Sequence, residues 1–520
     1  MDKMKIKNFA INARKRLRTD VKQTLANYGI NNSGINDELD ISTPEVKFYT
    51  TEQFPLTGHQ IVWRQQIADQ LKQSQDEWID TLDEFIEEVA YTWFNRIIAI
   101  RFMEVNDYLP SRTRVLSSEE GRVEPDIISH VWEIEDDLGG YSDDERKLIG
   151  EALNTQLPAK MDEMYAMLFI KQSDSLSAIL PGLFEKTNDY LKLLFTPNYN
   201  SGVIKDLLND IPEAYFDVEQ EGQVEIIGWL YQYYNTESKD RAFKKSNYST
   251  NDIPAVTQLF TPSWIVKYMV ENSLGRYWID ILHARGDERS EKEIADEFGW
   301  NYYMPSAPEN DGKFNNQVNK DITEIKFIDP AMGSGHILVY AFHVFIQLYE
   351  NEGYSRREAV DLILENNLYG LDIDTRAYQL SYFAVNMLGR QYNRRFFREQ
   401  HRLNLVDVPS SKYSVNDYAY LVSNGNVTDP AKVLADIDIL IQLFANGNDL
   451  GSIIKIPVDL NLKQLESIAT DAEPSLGEMT FDDIEAENCR EELLAIVEAA
   501  KLLSQKYEIA VSNPPYMGSK

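Results

Sequence analysis

The sequence predicts an α/β protein in which a mostly helical domain, residues 1–245, precedes a doubly wound sheet domain. Apolar residues recur every four positions near the N-terminus, as on one face of a helix. After residue 325, short β-rich segments alternate with helical patterns, which is typical of a sheet with helices on both faces. A polar stretch at 236–254 separates the two regions, and 520 residues are too many for one hydrophobic core.

Composition and charge exclude several classes of protein. Hydrophobic residues make up 43% of the chain, yet no apolar run reaches the roughly 18 residues of a membrane span. The single cysteine, Cys489, rules out a disulfide framework, and no signal peptide is visible, so we expect a cytoplasmic protein. The net charge of −33 argues against nucleic-acid binding by this chain alone, because phosphate contacts need local positive potential.

The helical domain begins with an amphipathic helix. The residues of its apolar stripe are Phe9, Ala13, Leu17, Val21 and Leu25. The later stretch 63–104 is rich in helix formers and contains neither Gly nor Pro. We expect the aromatic residues of this stretch to pack in a core rather than to form a base-stacking platform.

The second domain carries the pattern of a sheet. Its predicted strands are 326–330, 367–373 and 507–516. A helical pattern follows each of the first two strands, and this part of the domain covers 246–407. Residues 408–505 are mixed and acidic, so we expect a mostly helical insertion there, before the final strand and turn at 506–520.

A glycine-rich turn joins the first predicted strand to its helix. Its sequence is Asp-Pro-Ala-Met-Gly-Ser-Gly, residues 329–335. Glycine lets the backbone pass close to a ligand, and the N-terminus of the following helix favours an anionic group. The turn lacks the third glycine of the dinucleotide fingerprint. By itself it is also compatible with a tight turn that binds nothing.

An acidic residue ends the second predicted strand, in Gly-Leu-Asp-Ile-Asp at 370–374. A carboxylate at this position can accept hydrogen bonds from both hydroxyls of a ribose. Asp372 is the candidate because it ends the hydrophobic run, whereas Asp374 is also placed to cap the next helix. The glycine turn and Asp372 together predict a cofactor that contains adenosine.

The third predicted strand runs into Asn-Pro-Pro-Tyr, residues 513–516. An Asn side-chain oxygen and a Pro backbone carbonyl can each accept one hydrogen of an exocyclic amine, which makes a poorly nucleophilic nitrogen more reactive. Two prolines hold these acceptors in fixed directions, and Tyr516 offers a ring face to an extruded base. This turn predicts chemistry on the exocyclic amine of adenine.

A fourth motif, Phe-Thr-Pro at 260–262, lies upstream of the glycine turn. We expect Thr261 to cap the helix that follows, with Pro262 at the first helical position. A well-made helix start accounts for the motif as well as a functional role does.

These motifs resemble the N6-adenine DNA methyltransferases of the gamma motif order, in which Phe-Thr-Pro, Asp-Pro-Ala-x-Gly-Ser-Gly and Asn-Pro-Pro-Tyr follow in this order. The helical leader AYTWFNRIIAIRFMEVNDYLP narrows the resemblance to the methyltransferases of BREX phage-defence systems. The family implies a Rossmann-like domain that uses S-adenosyl-L-methionine. The residues implied to bind this cofactor are Phe260, Thr261, Pro262, Asp329, Pro330, Ala331, Gly333, Gly335 and Asp372. The catalytic turn is implied to be Asn513, Pro514, Pro515 and Tyr516, and no metal site is implied.

The resemblance also implies a substrate and partners. These are double-stranded DNA, methylated at specific sites to mark the host genome, and other BREX proteins. Members of the family continue beyond the catalytic turn with further strands and a target recognition domain, whereas this chain stops four residues after Tyr516. We therefore expect a truncated N-terminal fragment with little methylation activity by itself. An acidic residue for the family's adenine-edge motif is not evident, and Asp407 is the candidate.

Three alternative functions stay open from the sequence. Asn-Pro-Pro-Tyr also occurs in methyltransferases that act on a release-factor glutamine or an RNA base. A restriction–modification fusion with an endonuclease is suggested by acidic residues that precede Glu-x-Lys, with Asp321 before 324–326 and Asp40 before 45–47. A non-catalytic interaction fragment is the third alternative.

Overall fold

The computed structural model describes residues 1–73, 77–184, 190–220, 222–237, 261–307, 319–399, 401–424, 427, 429–471 and 481–514. The chain forms two compact units, Met1–Lys244 and Lys245–Lys520. Most of the polar stretch 236–254, where the sequence predicts a domain boundary, lies outside the described residues. None of the described helices is long and apolar enough to cross a membrane.

The described part of the first unit is mainly helical, with two small antiparallel hairpins. In chain order its elements are α1 Lys3–Asn27, β1 Ile30–Asn31, β2 Gly34–Ile35, β3 Val46–Lys47, β4 Leu56–Thr57, α2 His59–Gln73, α3 Trp78–Val105, α4 Asp126–Ser129, α5 Asp143–Thr155, α6 Pro158–Leu176, α7 Pro181–Phe184, α8 Tyr190–Leu193, α9 Gly202–Asp210, a 3-10 turn Glu213–Tyr215 and α10 Ile226–Tyr234.

Helix α1 packs on α3 and α10 through its apolar stripe. All five residues of the predicted stripe are buried, so this prediction is confirmed. Phe9 of α1 stacks on Phe94 of α3, with ring centroids 6.4 Å apart. Trp93 is also completely buried, and Trp63 is partly buried. These aromatic residues thus belong to the packing of this unit, as expected, and the stretch is mostly helical, as its lack of Gly and Pro predicts.

The second unit combines helices with a parallel sheet. In chain order its elements are α11 Ser263–Val270, a π-helical turn Glu271–Gly275, α12 Arg276–Ala284, α13 Glu291–Glu297, a 3-10 turn Ile322–Glu324, β5 Phe327–Asp329, α14 His336–Asn351, α15 Arg356–Leu362, a π-helical turn Ile363–Asn367, β6 Leu368–Asp372, α16 Thr375–Tyr392, a 3-10 turn Phe396–Arg398, β7 Asn404–Asp407, a 3-10 turn Val415–Tyr418, α17 Ala419–Asn424, α18 Pro430–Leu443, α19 Gly447–Leu450, a 3-10 turn Gly451–Ile453, α20 Leu462–Asp471, α21 Phe481–Ser504 and β8 Ile509–Ala510.

Four described strands form this sheet in the order β7-β6-β5-β8, all parallel. Strand β7 is not predicted from the sequence, because only two apolar residues, Leu405 and Val406, occupy its interior and give too little alternation to recognise. The segment predicted as the third strand is therefore the fourth in chain order. The last strand in the chain lies beside β5, so the three predicted strands are neighbours in the sheet.

Helices cover both faces of the sheet. On one face, Phe327 of β5 meets Phe345 of α14 edge-on, with ring centroids 6.5 Å apart. On the other face, Ile328 joins a core that includes Ile437 of α18 and Ile496 of α21. Consecutive residues of a strand point to opposite faces, which explains this division. The described residues of 408–505 are helical or irregular, and they supply the second helical layer of the sheet.

Candidate active site

The candidate site lies where three neighbouring parallel strands end. Asp329 is the last residue of β5, Asp372 is the last residue of β6, and Asn513 follows β8 by three residues. Strand β5 is hydrogen-bonded to both of the others. Because the carboxyl ends of parallel strands meet at one edge of a sheet, the three motifs converge there, at the position where α/β folds bind ligands.

The glycine turn is held against helix α16. Gly333 and Gly335 have φ angles of 54° and 83°, a left-handed conformation that favours glycine. The Ser381 hydroxyl donates a hydrogen bond of 2.7 Å to the carbonyl of Gly333. A β-carbon on Gly335 would meet the Ser381 hydroxyl at 2.9 Å, whereas a β-carbon on Gly333 would enter open space. The turn is therefore packed on one side and open beside Gly333.

Asp372 connects the glycine turn to the end of β6. The backbone N–H of Gly333 donates to one carboxylate oxygen of Asp372 at 2.8 Å, and the N–H of Asp374 donates to the other at 2.9 Å. Asp374 caps helix α16 by accepting a hydrogen bond from the backbone N–H of Arg376. The two acids of the Gly-Leu-Asp-Ile-Asp motif thus have different structural roles, and Asp372 is the one that faces the turn.

The two carboxyl groups of the site lack a basic partner. No Lys or Arg of the described residues forms an ion pair with Asp329 or Asp372. Burial, with a smaller contribution from the charge of Asp372, raises the pKa of Asp329 to about 7. Burial likewise raises the pKa of Asp372 to about 6, although Asp372 keeps part of its surface exposed. Both carboxylates would be stabilised by a ligand that brings positive charge or hydrogen-bond donors.

Thr261 does not cap a helix, so this prediction is wrong. Helix α11 begins at Ser263, and Pro262, with ψ of 139°, occupies the capping position without a side-chain hydrogen bond. The Thr261 hydroxyl instead accepts a hydrogen bond of 3.0 Å from the side-chain amide nitrogen of Asn513. Pro262 begins the helix through its own carbonyl, which accepts from the N–H groups of Ile265 and Val266. The threonine hydroxyl therefore lies beside the third motif and not at the helix start.

The remaining predicted site residues have simpler positions. The backbone N–H of Ala331 donates to the carboxylate of Asp329 at 3.1 Å, with Pro330 between them in the turn. Pro514 is exposed. Phe260, Pro515 and Tyr516 lie outside the described residues.

Asp407 lies away from the Asn-Pro-Pro-Tyr strand. It ends β7, is paired in register with Asp372, and accepts a hydrogen bond from the Thr375 hydroxyl at 2.6 Å. Ser381, which holds the glycine turn, was not predicted, because a single serine within a helical pattern carries no recognisable signal; the structure buries it completely.

The residues that suggested an endonuclease, Asp321 and the Glu-x-Lys at 324–326, have structural partners. Asp321 caps a 3-10 turn by accepting from the backbone and hydroxyl of Thr323. Lys326 donates to the side chain of Gln505 at 2.9 Å. Among the described residues, no group of three His, Cys, Asp or Glu side chains is arranged to hold a metal ion.

Comparison with known proteins agrees with this geometry. Residues 306–419, which contain the glycine turn and Asp372, match the family model of the MmeI DNA-methyltransferase domain. Over its whole length the chain is 51% identical to the adenine-specific methyltransferase PglX of Lacticaseibacillus casei and 34% identical to the adenine-specific methyltransferase BrxX of Escherichia coli O9:H4. The chain is a relative of PglX and BrxX.

The match with PglX and BrxX covers 43% of the length of each, so this chain spans less than half of these curated relatives. A more distant relative, 24% identical over 57% of the chain, is a putative type II restriction enzyme and methyltransferase of Methanocaldococcus jannaschii.

Proposed function

We propose that this chain carries the S-adenosylmethionine site and the catalytic turn of a site-specific DNA methyltransferase that acts on the N6 amine of adenine. The observation that carries the proposal is the convergence of three motifs at the carboxyl ends of β6, β5 and β8. PglX and BrxX, to which the chain is similar over its whole length, are adenine-specific methyltransferases, which supports the proposal. The proposal extends to double-stranded DNA as substrate and to other BREX proteins as partners, as the family resemblance implies.

The described residues fit S-adenosylmethionine. The space beside Gly333 is open, and next to it lies Asp372, whose carboxylate still has lone pairs available for the two ribose hydroxyls. The carboxyl group of Asp329 is buried without a basic partner among the described residues, which suits the ammonium group at the amino-acid end of this cofactor. The bound cofactor supplies a methyl group on a sulfonium, which is open to attack by a nucleophile.

The protein's own contribution to the reaction is to prepare and orient the amine. The side-chain oxygen of Asn513 and the carbonyl of Pro514 each accept one N6 hydrogen of adenine, so the nitrogen lone pair is withdrawn from the ring and directed at the methyl group. Tyr516 stacks on the extruded base, and Pro515 keeps the turn rigid. Phe260, Thr261 and Pro262 line the methionine end of the cofactor.

The net charge of −33 bears on how DNA is held. Phosphate contacts supply much of the affinity of DNA-binding proteins, so a strongly acidic chain needs an additional basic surface. We therefore propose that this chain provides the methyl-transfer chemistry, while most of the DNA contacts come from another part of the assembly.

The test is methylation by the complete gene product, measured as N6-methyladenine in genomic DNA by mass spectrometry. Asn513→Ala should lower the single-turnover rate about 10²- to 10³-fold, because it removes one of two acceptors for the amine. The affinity for S-adenosylmethionine should stay within about threefold of wild type, since Asn513 is proposed to contact the base. The matched control is Asn448→Ala, an exposed asparagine of α19, which should leave the rate unchanged.

Methyl groups found on a protein glutamine or on RNA instead of DNA adenine would contradict the proposal. So would an Asn513→Ala variant with the wild-type rate.

A further inference from the structure

The contact between Thr261 and Asn513 joins two motifs that are 252 positions apart in the chain. The side-chain nitrogen of Asn513 lies 3.0 Å from the Thr261 hydroxyl oxygen. It is the contact that the structure gives for the Asn513 side chain within the described residues. Thr261 is itself only 9% exposed, so water competes little for its hydroxyl.

The orientation of the Asn513 amide matters because its two ends have opposite hydrogen-bonding character. The oxygen accepts hydrogen bonds, whereas the nitrogen only donates them. The Thr261 hydroxyl can donate or accept, and in the structure it accepts from the Asn513 nitrogen, so the oxygen is the end that remains for an incoming amine. In the reverse orientation an NH₂ group would face another NH₂ group, and neither could accept.

Thr261 is well fixed for this task. The ring of Pro262 restricts the backbone immediately after it, and the Pro262 carbonyl begins helix α11. Helix α11 packs on α14, the helix that follows the glycine turn. The hydroxyl therefore reaches Asn513 from a backbone that is anchored to the same sheet layer as the proposed cofactor site.

We infer that Thr261 is a positioning residue for methyl transfer, whose hydroxyl holds the Asn513 amide with its oxygen directed at the substrate amine. The inference rests on the proposed function, and it gives Thr261 a role besides lining the cofactor. The two roles differ in what the hydroxyl contacts: the catalytic amide in one case and the cofactor in the other.

Two substitutions of Thr261 separate these roles. Thr261→Val keeps the shape and removes the hydroxyl, whereas Thr261→Ser keeps the hydroxyl. In the complete gene product, the single-turnover methylation rate at saturating S-adenosylmethionine should fall about tenfold for Thr261→Val, the usual effect of one lost hydrogen bond. It should stay within about threefold of wild type for Thr261→Ser. Because Thr261 also lines the proposed cofactor site, calorimetry should give Thr261→Val a loss of cofactor affinity that is smaller than its loss of rate at saturating cofactor, and Thr261→Ser should lose little of either.

A double-mutant cycle tests whether Thr261 acts through Asn513. In an Asn513→Ala background there is no amide to orient, so adding Thr261→Val should not change the remaining rate. The assignment is overturned if Thr261→Val keeps the wild-type rate, if it loses cofactor affinity in proportion to rate, or if its tenfold effect persists in the Asn513→Ala background.

Failure of the inference is distinguishable from failure of the proposed function. A wild-type protein that methylates no adenine overturns the proposed function and this assignment with it. An active wild-type protein with an unaffected Thr261→Val variant overturns the assignment alone.

Discussion

The two units of the molecule differ in whether their buried or partly buried carboxylates have basic partners among the described residues. In the first unit, Glu87 of α3 receives two hydrogen bonds from Arg14 of α1, at 2.6 and 3.0 Å, and a further ion pair from Arg18. Burial alone would raise the pKa of Glu87, but the bonds and charges of the two arginines lower it below its ordinary value. The carboxylate is satisfied by the fold itself.

In the second unit, Asp329 and Asp372 have raised pKa values and no basic partner within the described part of the chain. Backbone N–H groups hydrogen-bond both carboxylates but leave their charge without a counter-charge, and such groups are typical of sites that bind a ligand. The comparison indicates which buried charges hold the structure together and which serve function.

The largest expected effect is on the stability of the first unit, where Glu87 has two basic partners. Glu87→Ala should lower the free energy of unfolding by about 3 kcal/mol, because it removes both hydrogen bonds of the buried Arg14 guanidinium and leaves it, among the described residues, the longer ion pair with Glu237 at 3.7 Å. Urea unfolding followed by circular dichroism measures this change. Glu133→Ala, at an exposed position of the same unit, should change the stability by less than about 0.5 kcal/mol. Equal effects of the two substitutions would show that the Glu87 ion pairs do not stabilise the unit.

The second prediction concerns Asp329, where removing the carboxylate should raise the free energy of unfolding instead of lowering it. The folded-state pKa of Asp329 is about 7, above its ordinary value of 3.8, so its favourable contribution is complete below pH 4 and is lost as the pH rises through 7. Asp329→Asn should therefore stabilise the ligand-free chain by about 1–3 kcal/mol at pH 8 and should have little effect at pH 4. Thermal unfolding at both pH values measures this difference. If Asp329→Asn is less stable than wild type at pH 8, the carboxylate of Asp329 stabilises the fold as that of Glu87 does.

The smallest expected effect concerns ligand affinity and pH. Because the pKa of Asp372 is about 6, its carboxylate is mostly protonated at pH 5 and mostly ionised at pH 7.5. Only the ionised form accepts hydrogen bonds at both oxygens, so S-adenosylmethionine should bind about tenfold more tightly at pH 7.5 than at pH 5. Calorimetry across this range gives the profile. Asp372→Asn should bind more weakly and lose the Asp372 part of the dependence, and an unchanged slope in this variant would assign the titration to another group.

The sequence predicted the parts of this fold that depend on local periodicity. The stripe of α1 and the strands that lead into Asp329 and Asp372 are where their apolar patterns indicate. Strand β7 was missed because its interior has only two apolar residues. Thr261 was assigned to a cap because Thr-Pro is typical of a helix start, whereas the helix begins one residue later than expected, at Ser263. Contacts between distant segments, such as Thr261 with Asn513 and Ser381 with Gly333, depend on the tertiary fold. No local pattern encodes them.

Calorimetry of S-adenosylmethionine binding to the 520-residue chain at pH 7.5, with Asp372→Ala as the control, tests the proposed cofactor site directly. We expect saturable binding of one cofactor per chain to the wild type. The variant should lose about 10- to 100-fold in affinity, because a charged hydrogen-bond acceptor contributes about 1.5–3 kcal/mol. A chain that is well folded by circular dichroism and binds no cofactor, or a variant that binds as tightly as wild type, would show that Asp329, Asp372 and the glycine turn do not form a cofactor site.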